Sequence, residues 1–276
     1  MHRGQISFFV YKSQIDKPAI ICQTISGNKR QGENTMIYVV SDIHGHYDKY
    51  LKLLDMIRFS EKDALYVLGD VIDRGPEGFR IMLDIASRPN VVGLLGNHEA
   101  MAMSALPHIL HALQEGENGA LSRAGQNAVR LWFLNGGEAS LTNLLEMDAD
   151  QIQTACAYMK QLPLYLETAV EGRSFVLVHG GLDGFSPDRP LYDYQPDEIL
   201  WCRPTPKTVY FPDKYVIFGH TPVQLLTASN RRAALSGSVP AKIFRSGNLI
   251  DIDCGCILPT GKLGCLCLNT MEEFYV

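Results

Sequence analysis

Five apolar runs along the chain are each followed at once by side chains that can bind a metal ion or move a proton. The runs themselves predict buried strands. The residues that follow them are Asp42 and His44; Asp70, Asp73 and Arg74; Asn97 and His98; His179; and His220. A single Asp before a turn, or a single His at a strand end, is more often structural than catalytic. Because the pattern recurs at five successive strand ends, we interpret it as a functional site.

The donor types in this set favour a pair of divalent metal ions. Carboxylate, amide and imidazole groups suit Mn²⁺, Fe or Zn²⁺, and six such donors exceed what one ion with an open position needs. Two ions that share a bridging carboxylate lie roughly 3.5–4 Å apart. Such a pair holds a phosphate group and lowers the pKa of a bound water, which makes hydroxide available near neutral pH. The set therefore predicts hydrolysis of a phosphate ester.

The strands that must deliver these groups alternate with helical segments. The predicted strands are Ile37–Ser41, Ala64–Leu68, Val91–Leu95, Phe175–Val178, Val216–Phe218, Leu249–Asp253 and Leu263–Leu268. Helical periodicity between the first three predicts a βαβαβ opening, and ligands bind at the carboxyl ends of the strands in such sheets. A hairpin is predicted within 164–181, and another is predicted to pair the last two strands around the turn at 259–261. The fold class is therefore α/β.

Three segments differ from this alternation. Residues 99–161 have helical periodicity and are too long for a connection, so they predict a helical insert beside the sheet. Residues 221–248 carry few periodic signals and predict a long irregular loop near the site. Residues 1–35 fit the pattern poorly, and Met36 precedes the first strong strand. We interpret 1–35 as an extension or as lying before the native start, with the compact domain at 36–276; an additional hairpin is the equally weighted alternative.

The composition excludes several classes of protein. Hydrophobic residues make up 46% and charged residues 20% of the chain, as in an ordinary globular enzyme. The net charge of -5 offers no basic surface for nucleic acid or for an anionic membrane. No apolar stretch is long enough to cross a bilayer, and residues 1–35 lack the pattern of a secretory signal. The odd count of seven cysteines favours a reducing, cytoplasmic environment.

Four of the cysteines form a C-x-C…C-x-C array near the carboxyl end of the chain. They are Cys254, Cys256, Cys265 and Cys267. A thiolate zinc site is one interpretation, but structural zinc sites usually have wider spacing within each pair. We expect small buried side chains on a hairpin instead.

Taken in order, the motifs SDIHG, GDVIDRG, GNHE, VHGG and FGHT resemble the signature of the calcineurin-like metallophosphoesterases. The Asp-Arg-Gly and Asn-His-Glu forms are similar to the phosphoprotein phosphatase branch, and the segments WFLNGG and LIDIDCGC resemble its small bacterial and phage-lambda-type members. The resemblance extends over about residues 36–270. It implies a sandwich of two mixed β-sheets flanked by helices, with a helical insert at about 99–161.

The resemblance also implies metal ligands. One ion would be held by Asp42 and His44, and Asp70 would bridge to a second ion. The remaining ligands of the second ion would be Asn97, His179 and His220. Mn²⁺ is the expected metal, with Fe or Zn²⁺ as alternatives.

The other implied roles concern the phosphate group and a proton. His98 would protonate the leaving alkoxide, and Asp73 would orient that imidazole. Arg74 and Arg203, the latter in LWCRP, would bind phosphate oxygens beside Asn97 through their planar guanidinium groups. Glu99, which follows His98 directly, is expected to anchor the turn or a neighbouring arginine, because an anion in contact with substrate would repel phosphate.

The predicted activity is hydrolysis of phosphoserine and phosphothreonine in proteins, without a phosphoenzyme. A symmetrical dinucleoside tetraphosphatase, which splits diadenosine tetraphosphate into two ADP, is the alternative. The GNHE form, in place of the GNHD expected for the tetraphosphatase, and Asp73 favour the protein phosphatase. A polynucleotide end-processing phosphatase is disfavoured by the acidic charge and by the lack of a linked kinase P-loop. A metal-free scaffold on the same fold ranks last, since every ligand is present.

Overall fold

Two five-stranded mixed sheets form the centre of the fold. The computed structural model describes residues 35–116 and 119–276, so the predicted extension at 1–35 lies outside the described residues except for Thr35. The first sheet has the order β10–β9–β1–β2–β3 and the second has the order β4–β5–β6–β8–β7. The strands are β1 (Ile37–Val40), β2 (Ala64–Val67), β3 (Val91–Gly93), β4 (Tyr165–Val170), β5 (Arg173–Val178), β6 (Lys214–Phe218), β7 (Phe244–Ser246), β8 (Leu249–Asp251), β9 (Gly264–Cys267) and β10 (Glu273–Tyr275).

Parallel pairing brings the strand ends together. In the first sheet β1 pairs with β2 and β2 with β3, with helices α1 (Tyr47–Met56) and α2 (Gly78–Ser87) as the crossovers. This arrangement confirms the predicted βαβαβ opening. In the second sheet β5, β6 and β8 are parallel, and β4 pairs antiparallel with β5 as the predicted hairpin.

Side chains that alternate along the strands separate the core into layers. Val39 and Tyr66 point between the two sheets, where they pack in one buried cluster with Leu177. The next residue along β1, Val40, joins the cluster on the helix-covered face of the first sheet. Val176 packs on the opposite face of the second sheet. The period of two in each strand therefore produces a sandwich with helices outside it.

The predicted insert is helical and belongs to the main core. Its helices are α3 (Asn97–Gln114), α4 (Arg123–Leu134), α5 (Gly137–Leu145) and α6 (Ala149–Met159). Trp132, Leu144 and Met159 from these helices are buried in the same cluster as Val40. Because the insert shares this core, it can place side chains beside the strand ends. In the parts of the chain that the structure describes, no helix is long and apolar enough to cross a bilayer.

Two predictions about the last third of the chain are wrong. The strands on either side of the turn at 259–261 do not form a hairpin, because β8 pairs with β6 and β7 while β9 joins the other sheet between β1 and β10. The parallel pairing of β8 with β6 buries Ile250 between the sheets, and this outweighs the local turn signal. The segment 221–248 is also not wholly irregular, since it contains α8 (Val223–Thr227), α9 (Arg231–Leu235) and β7. The helix before β6 is α7 (Pro196–Leu200).

Candidate metal centre

The turns after the strands have unusual backbone geometry. Nine non-glycine residues with positive φ occur among the described residues, and six of them belong to the predicted site. These six are Asp42, His44, Asp70, Asp73, Arg74 and His220. Residues other than glycine rarely adopt positive φ, and each such residue carries a conformational free-energy cost of about 1–3 kcal/mol. The surrounding structure must therefore hold these turns in place.

Glu99 supplies much of that support. Its buried carboxylate accepts hydrogen bonds from the backbone N–H groups of Asp70 (2.9 Å), Val71 (2.8 Å), Ile72 (3.3 Å) and Gly96 (3.0 Å). The expectation that Glu99 anchors the turn is confirmed. Glycine is required at position 96, because a Cβ there would lie 2.4 Å from the backbone nitrogen of Asp70. The GNHE turn is thus packed directly against the Asp70 turn.

Two groups of donors meet at Asp70. One consists of His44, Asp70 and His98, the other of Asp70, His179 and His220, and the ligand atoms within each group lie within 4.8 Å of one another. All of these residues are buried. Asp70 Oδ2 lies 3.8 Å from Nε2 of both His44 and His98, and its Oδ1 lies 3.3 Å from Nε2 of His179. The position of Asp70 between the groups suits a bridging carboxylate.

Asp42 and Asn97 complete the two groups. Asp42 Oδ1 lies 3.9 Å from His44 Nε2, while its Oδ2 accepts hydrogen bonds from the Ser41 hydroxyl (2.5 Å) and the His220 backbone N–H (2.9 Å). One Asp42 oxygen is therefore directed toward the His44 side. On the opposite side, Asn97 Oδ1 lies 2.9 Å from His179 Nε2.

The hydrogen-bonding pattern fits a cation at this position. His179 Nδ1 donates to the Leu68 carbonyl oxygen at 2.8 Å, so Nε2 of the neutral imidazole carries a lone pair. That lone pair faces Asn97 Oδ1 at 2.9 Å, Asp70 Oδ1 at 3.3 Å and His220 Nδ1 at 3.2 Å, so metal-competent atoms of four residues converge at one point. The buried Nε2 of His220 has no hydrogen-bond partner within the described residues. The donor set therefore fits divalent metal ions.

Burial sets the protonation of the histidines. It lowers the pKa of His44, His98, His179 and His220 below the usual value, and the positive charge of Arg74 adds to this effect at His44 and His98. The imidazoles are therefore neutral near pH 7, which is the form that binds metals. Burial also raises the pKa of Asp70 well above its usual range, and the nearby carboxylates of Asp42 and Glu99 contribute. A bound cation would relieve the repulsion between the Asp70 carboxylate and those of Asp42 and Glu99.

Asp73 and His98 form a separate buried pair. His98 Nδ1 donates to Asp73 Oδ2 at 2.6 Å, and both side chains are almost fully buried. Burial raises the pKa of Asp73 to about 7, although hydrogen bonds from Ser140 and Trp132 oppose this rise. The pair has the geometry of an imidazole oriented by a carboxylate.

The two predicted phosphate-binding arginines lie on the solvent side of the buried donors. Arg74 donates to His44 Nε2 at 2.7 Å and to His98 Nε2 at 2.9 Å. Arg203 donates to the Thr221 hydroxyl at 2.9 Å and to the His220 carbonyl oxygen at 3.3 Å. Both residues are exposed, so their charges line the approach to the site. Every site residue predicted from the sequence thus lies in the region around Asp70 at the strand ends.

The sequence interpretation gave no role to two buried carboxylates near the site. Asp251 is the last residue of β8 and pairs with Phe218 at the end of β6, and Asp253 follows two residues later. Burial raises the pKa of both carboxyl groups well above the usual range. Asp253 N donates to Asp251 Oδ1 at 3.0 Å, and Asp253 Oδ1 accepts from the Gly255 N–H at 2.9 Å. The sequence signal for them was the presence of two aspartates in the otherwise apolar run LIDID, since carboxylates are rarely fully buried without a functional or structural partner.

The cysteine array does not form part of any metal-binding group found in the described residues. Cys254, Cys256, Cys265 and Cys267 are free and buried. Burial raises the pKa of the Cys256 thiol to about 12, which disfavours the thiolate form that zinc binds. They pack as small apolar side chains, as expected, although not on one hairpin: Cys265 and Cys267 lie on β9, and Cys254 and Cys256 lie in the loop after β8.

Comparisons with known proteins agree with this geometry. The sequence profile of the calcineurin-like phosphoesterases matches residues 35–224. Serine/threonine-protein phosphatase 2 of Salmonella typhimurium is 31% identical over 172 residues, which cover 60% of this chain and 67% of that protein. The symmetrical bis(5'-nucleosyl)-tetraphosphatase of Salmonella paratyphi C is 28% identical over 184 residues, which cover 66% of this chain and 52% of that protein.

A solved structure supports the fold alone. The crystal structure of a candidate diadenosine tetraphosphatase matches with a TM-score of 0.57 at 19% identity, over 88% of this chain and 93% of that one. The predicted sandwich of two mixed sheets flanked by helices is confirmed.

Proposed function

The chain belongs to the calcineurin-like phosphoesterases, and on that premise we propose that it is a protein phosphatase acting on phosphoserine and phosphothreonine with two divalent metal ions. Asp42, His44 and Asp70 would hold one ion. Asp70 would also hold the second ion, together with Asn97, His179 and His220. When bound, the ions neutralise phosphate charge and lower the pKa of a coordinated water. Mn²⁺ is our proposed metal, because oxygen and imidazole donors suit it.

The arginines would bind and orient the substrate phosphate. The planar guanidinium of Arg74 can donate two parallel hydrogen bonds to phosphate oxygens, and Arg203 can approach from the His220 side. Asn97 adds an uncharged oxygen ligand, so it brings no further negative charge beside the phosphate. On binding, the phosphate dianion would draw the Arg74 guanidinium away from the two imidazoles that it now contacts.

The Asp73–His98 pair is the observation that favours phosphoserine and phosphothreonine as the substrates. Cleavage of a phosphoserine or phosphothreonine ester releases an alkoxide, which is a strong base and must be protonated as it departs. His98 can supply that proton from Nε2, while Asp73 at 2.6 Å from Nδ1 stabilises the imidazolium form. The bound phosphate dianion would raise the pKa of His98 and so favour its protonated form.

A symmetrical dinucleoside tetraphosphatase is the second candidate, since relatives with that name also match. Its leaving group would be ADP, whose terminal phosphate departs as a weak base and needs little help from an acid. A buried carboxylate–imidazole pair would then have no clear use. The pair therefore favours the protein phosphatase. We also propose a cytoplasmic location, which the free thiols of the described cysteines support.

The test compares two substrates in one assay. Metal-stripped protein is given Mn²⁺ or buffer, and phosphate release from a phosphothreonine peptide is measured beside cleavage of diadenosine tetraphosphate. Mn²⁺-dependent release from the peptide is the expected result. Conversion of the dinucleotide into two ADP with the peptide untouched would overturn the proposal in favour of the second candidate. Lack of turnover on both substrates would refute both assignments.

A further inference from the structure

A tryptophan from the helical insert contacts the Asp73–His98 pair. Trp132, in the last turns of α4, directs its indole N–H at both oxygens of the Asp73 carboxylate, each at 2.9 Å. The side chain is fully buried. The segment WFLNGG, to which Trp132 belongs, has no role in the proposed metal centre.

The indole is suited to hold a carboxylate in one orientation. It has a single N–H donor and no acceptor, so it cannot exchange roles or take up the proton of His98. Asp73 is otherwise held by Nδ1 of His98 and, through its backbone N–H, by the Ser140 hydroxyl at 2.7 Å. Because the carboxylate is excluded from water, its hydrogen bonds from His98 and Trp132 replace its solvation. Loss of the indole N–H would leave the carboxylate free to rotate away from His98.

The glycines after Trp132 explain how the indole is fixed. Gly137 lies directly against the ring, since a Cβ at that position would be 2.6 Å from three of its atoms. Gly136 adopts the left-handed region with φ of 98°, and its carbonyl oxygen accepts from the Arg74 N–H at 3.0 Å. The turn between α4 and α5 therefore contacts both Trp132 and the Arg74 backbone.

We propose that Trp132 is a positioning residue for proton transfer: it fixes the Asp73 carboxylate and, through it, the His98 imidazole that protonates the leaving group. The inference rests on the proposed function, because it assumes a substrate whose leaving group needs a proton. It assigns the helical insert a direct part in the reaction, beyond its packing against the first sheet.

The experiment compares kcat on two substrates, one whose leaving group needs a proton and one whose leaving group does not. Trp132→Phe keeps an aromatic ring and removes only the N–H donor. We expect kcat on a phosphothreonine peptide to fall by roughly ten- to a hundredfold, the range for losing a hydrogen bond to a charged group. On p-nitrophenyl phosphate, whose phenolate leaves without a proton, kcat should change by less than about threefold. Equal losses on both substrates, or no loss on either, would overturn the proposal.

The control is Phe133→Leu, which alters the neighbouring ring, 5.9 Å from Trp132 between centroids, but no donor to Asp73. It should retain the wild-type ratio of the two rates. In an Asp73→Asn background, Trp132→Phe should cause little further loss, since residues that act through one another are not additive. A further full-sized loss in that background would contradict the assignment.

A spectroscopic measurement tests the contact even where Trp132→Phe folds poorly. The chain contains two tryptophans, so ¹⁵N-tryptophan labelling gives two indole N–H signals. The Trp132 signal should lie downfield and move upfield in Asp73→Asn, while that of Trp201 stays in place. An unmoved Trp132 signal would refute the contact. Failure of the proposed function is distinct, because the wild-type protein would then release no phosphate from the peptide.

Discussion

Among the buried histidines of this site, His98 differs from His44 and His179 in the partner of Nδ1. In His44 and His179, Nδ1 donates to a backbone carbonyl oxygen, at 3.0 and 2.8 Å respectively. In His98, Nδ1 donates to the carboxylate of Asp73 at 2.6 Å. All three rings are buried, and burial lowers the pKa of each, so burial does not distinguish them.

The partner decides what the other ring nitrogen can do. A neutral carbonyl fixes the ring and its tautomer, which leaves Nε2 as a lone-pair donor for a metal. A carboxylate also fixes the ring, but in addition it stabilises the imidazolium form and so favours carrying a proton. Histidines of the same burial can therefore serve as ligands or as an acid within a few ångströms of one another.

The two kinds of histidine are also supported by different parts of the chain. The carbonyl partners of His44 and His179 belong to the strand ends of the first sheet, next to the ligands themselves. The carboxylate partner of His98, Asp73, lies in the same turn after β2 as Ile72, but it is also held by Trp132 from the helical insert. Changes to the strand-end turns should thus affect metal binding, and changes to the insert should affect proton transfer.

The largest effect is expected from Asp70→Asn, which removes the charge shared by the two donor groups. Turnover of a phosphothreonine peptide should fall by roughly a thousandfold or more, since both ions lose a ligand. The metal-free variant should unfold at the same temperature as the metal-free wild type or higher, because the mutation relieves repulsion from Asp42 and Glu99. Steady-state kinetics and thermal unfolding check the two parts. Near-normal turnover would show that Asp70 does not bridge.

A smaller effect is expected where arginine is replaced by lysine. Arg74→Lys should lower kcat/KM by roughly ten- to a hundredfold, because lysine keeps the charge but cannot donate two parallel hydrogen bonds from a planar group. Arg203→Lys should lower it by less than about tenfold, since Arg203 lies at the rim and contacts Thr221. Measuring kcat/KM for both variants checks the order. A larger loss for Arg203→Lys would reverse the assigned roles.

The strand ends of this site were predictable from sequence because each ligand directly follows an apolar run. Asp42, Asp70 and His179 needed no knowledge of tertiary contacts to be nominated. Trp132 differs, since a tryptophan in an amphipathic helix usually belongs to the core, and only folding places its N–H beside Asp73. The mispredicted hairpin at 259–261 has the same cause: a local turn signal gave way to pairing of β8 with β6, which is distant in sequence.

His98 is assigned to proton transfer and His220 to metal binding, and the number of bound metal ions distinguishes these roles. Bound Mn²⁺ per chain is counted by elemental analysis after loading and desalting, in the wild type, His98→Asn and His220→Asn. We expect two ions in the wild type and in His98→Asn, and fewer than two in His220→Asn. Loss of an ion from His98→Asn would show that His98, whose Nε2 lies 3.8 Å from Asp70 Oδ2, is a metal ligand instead.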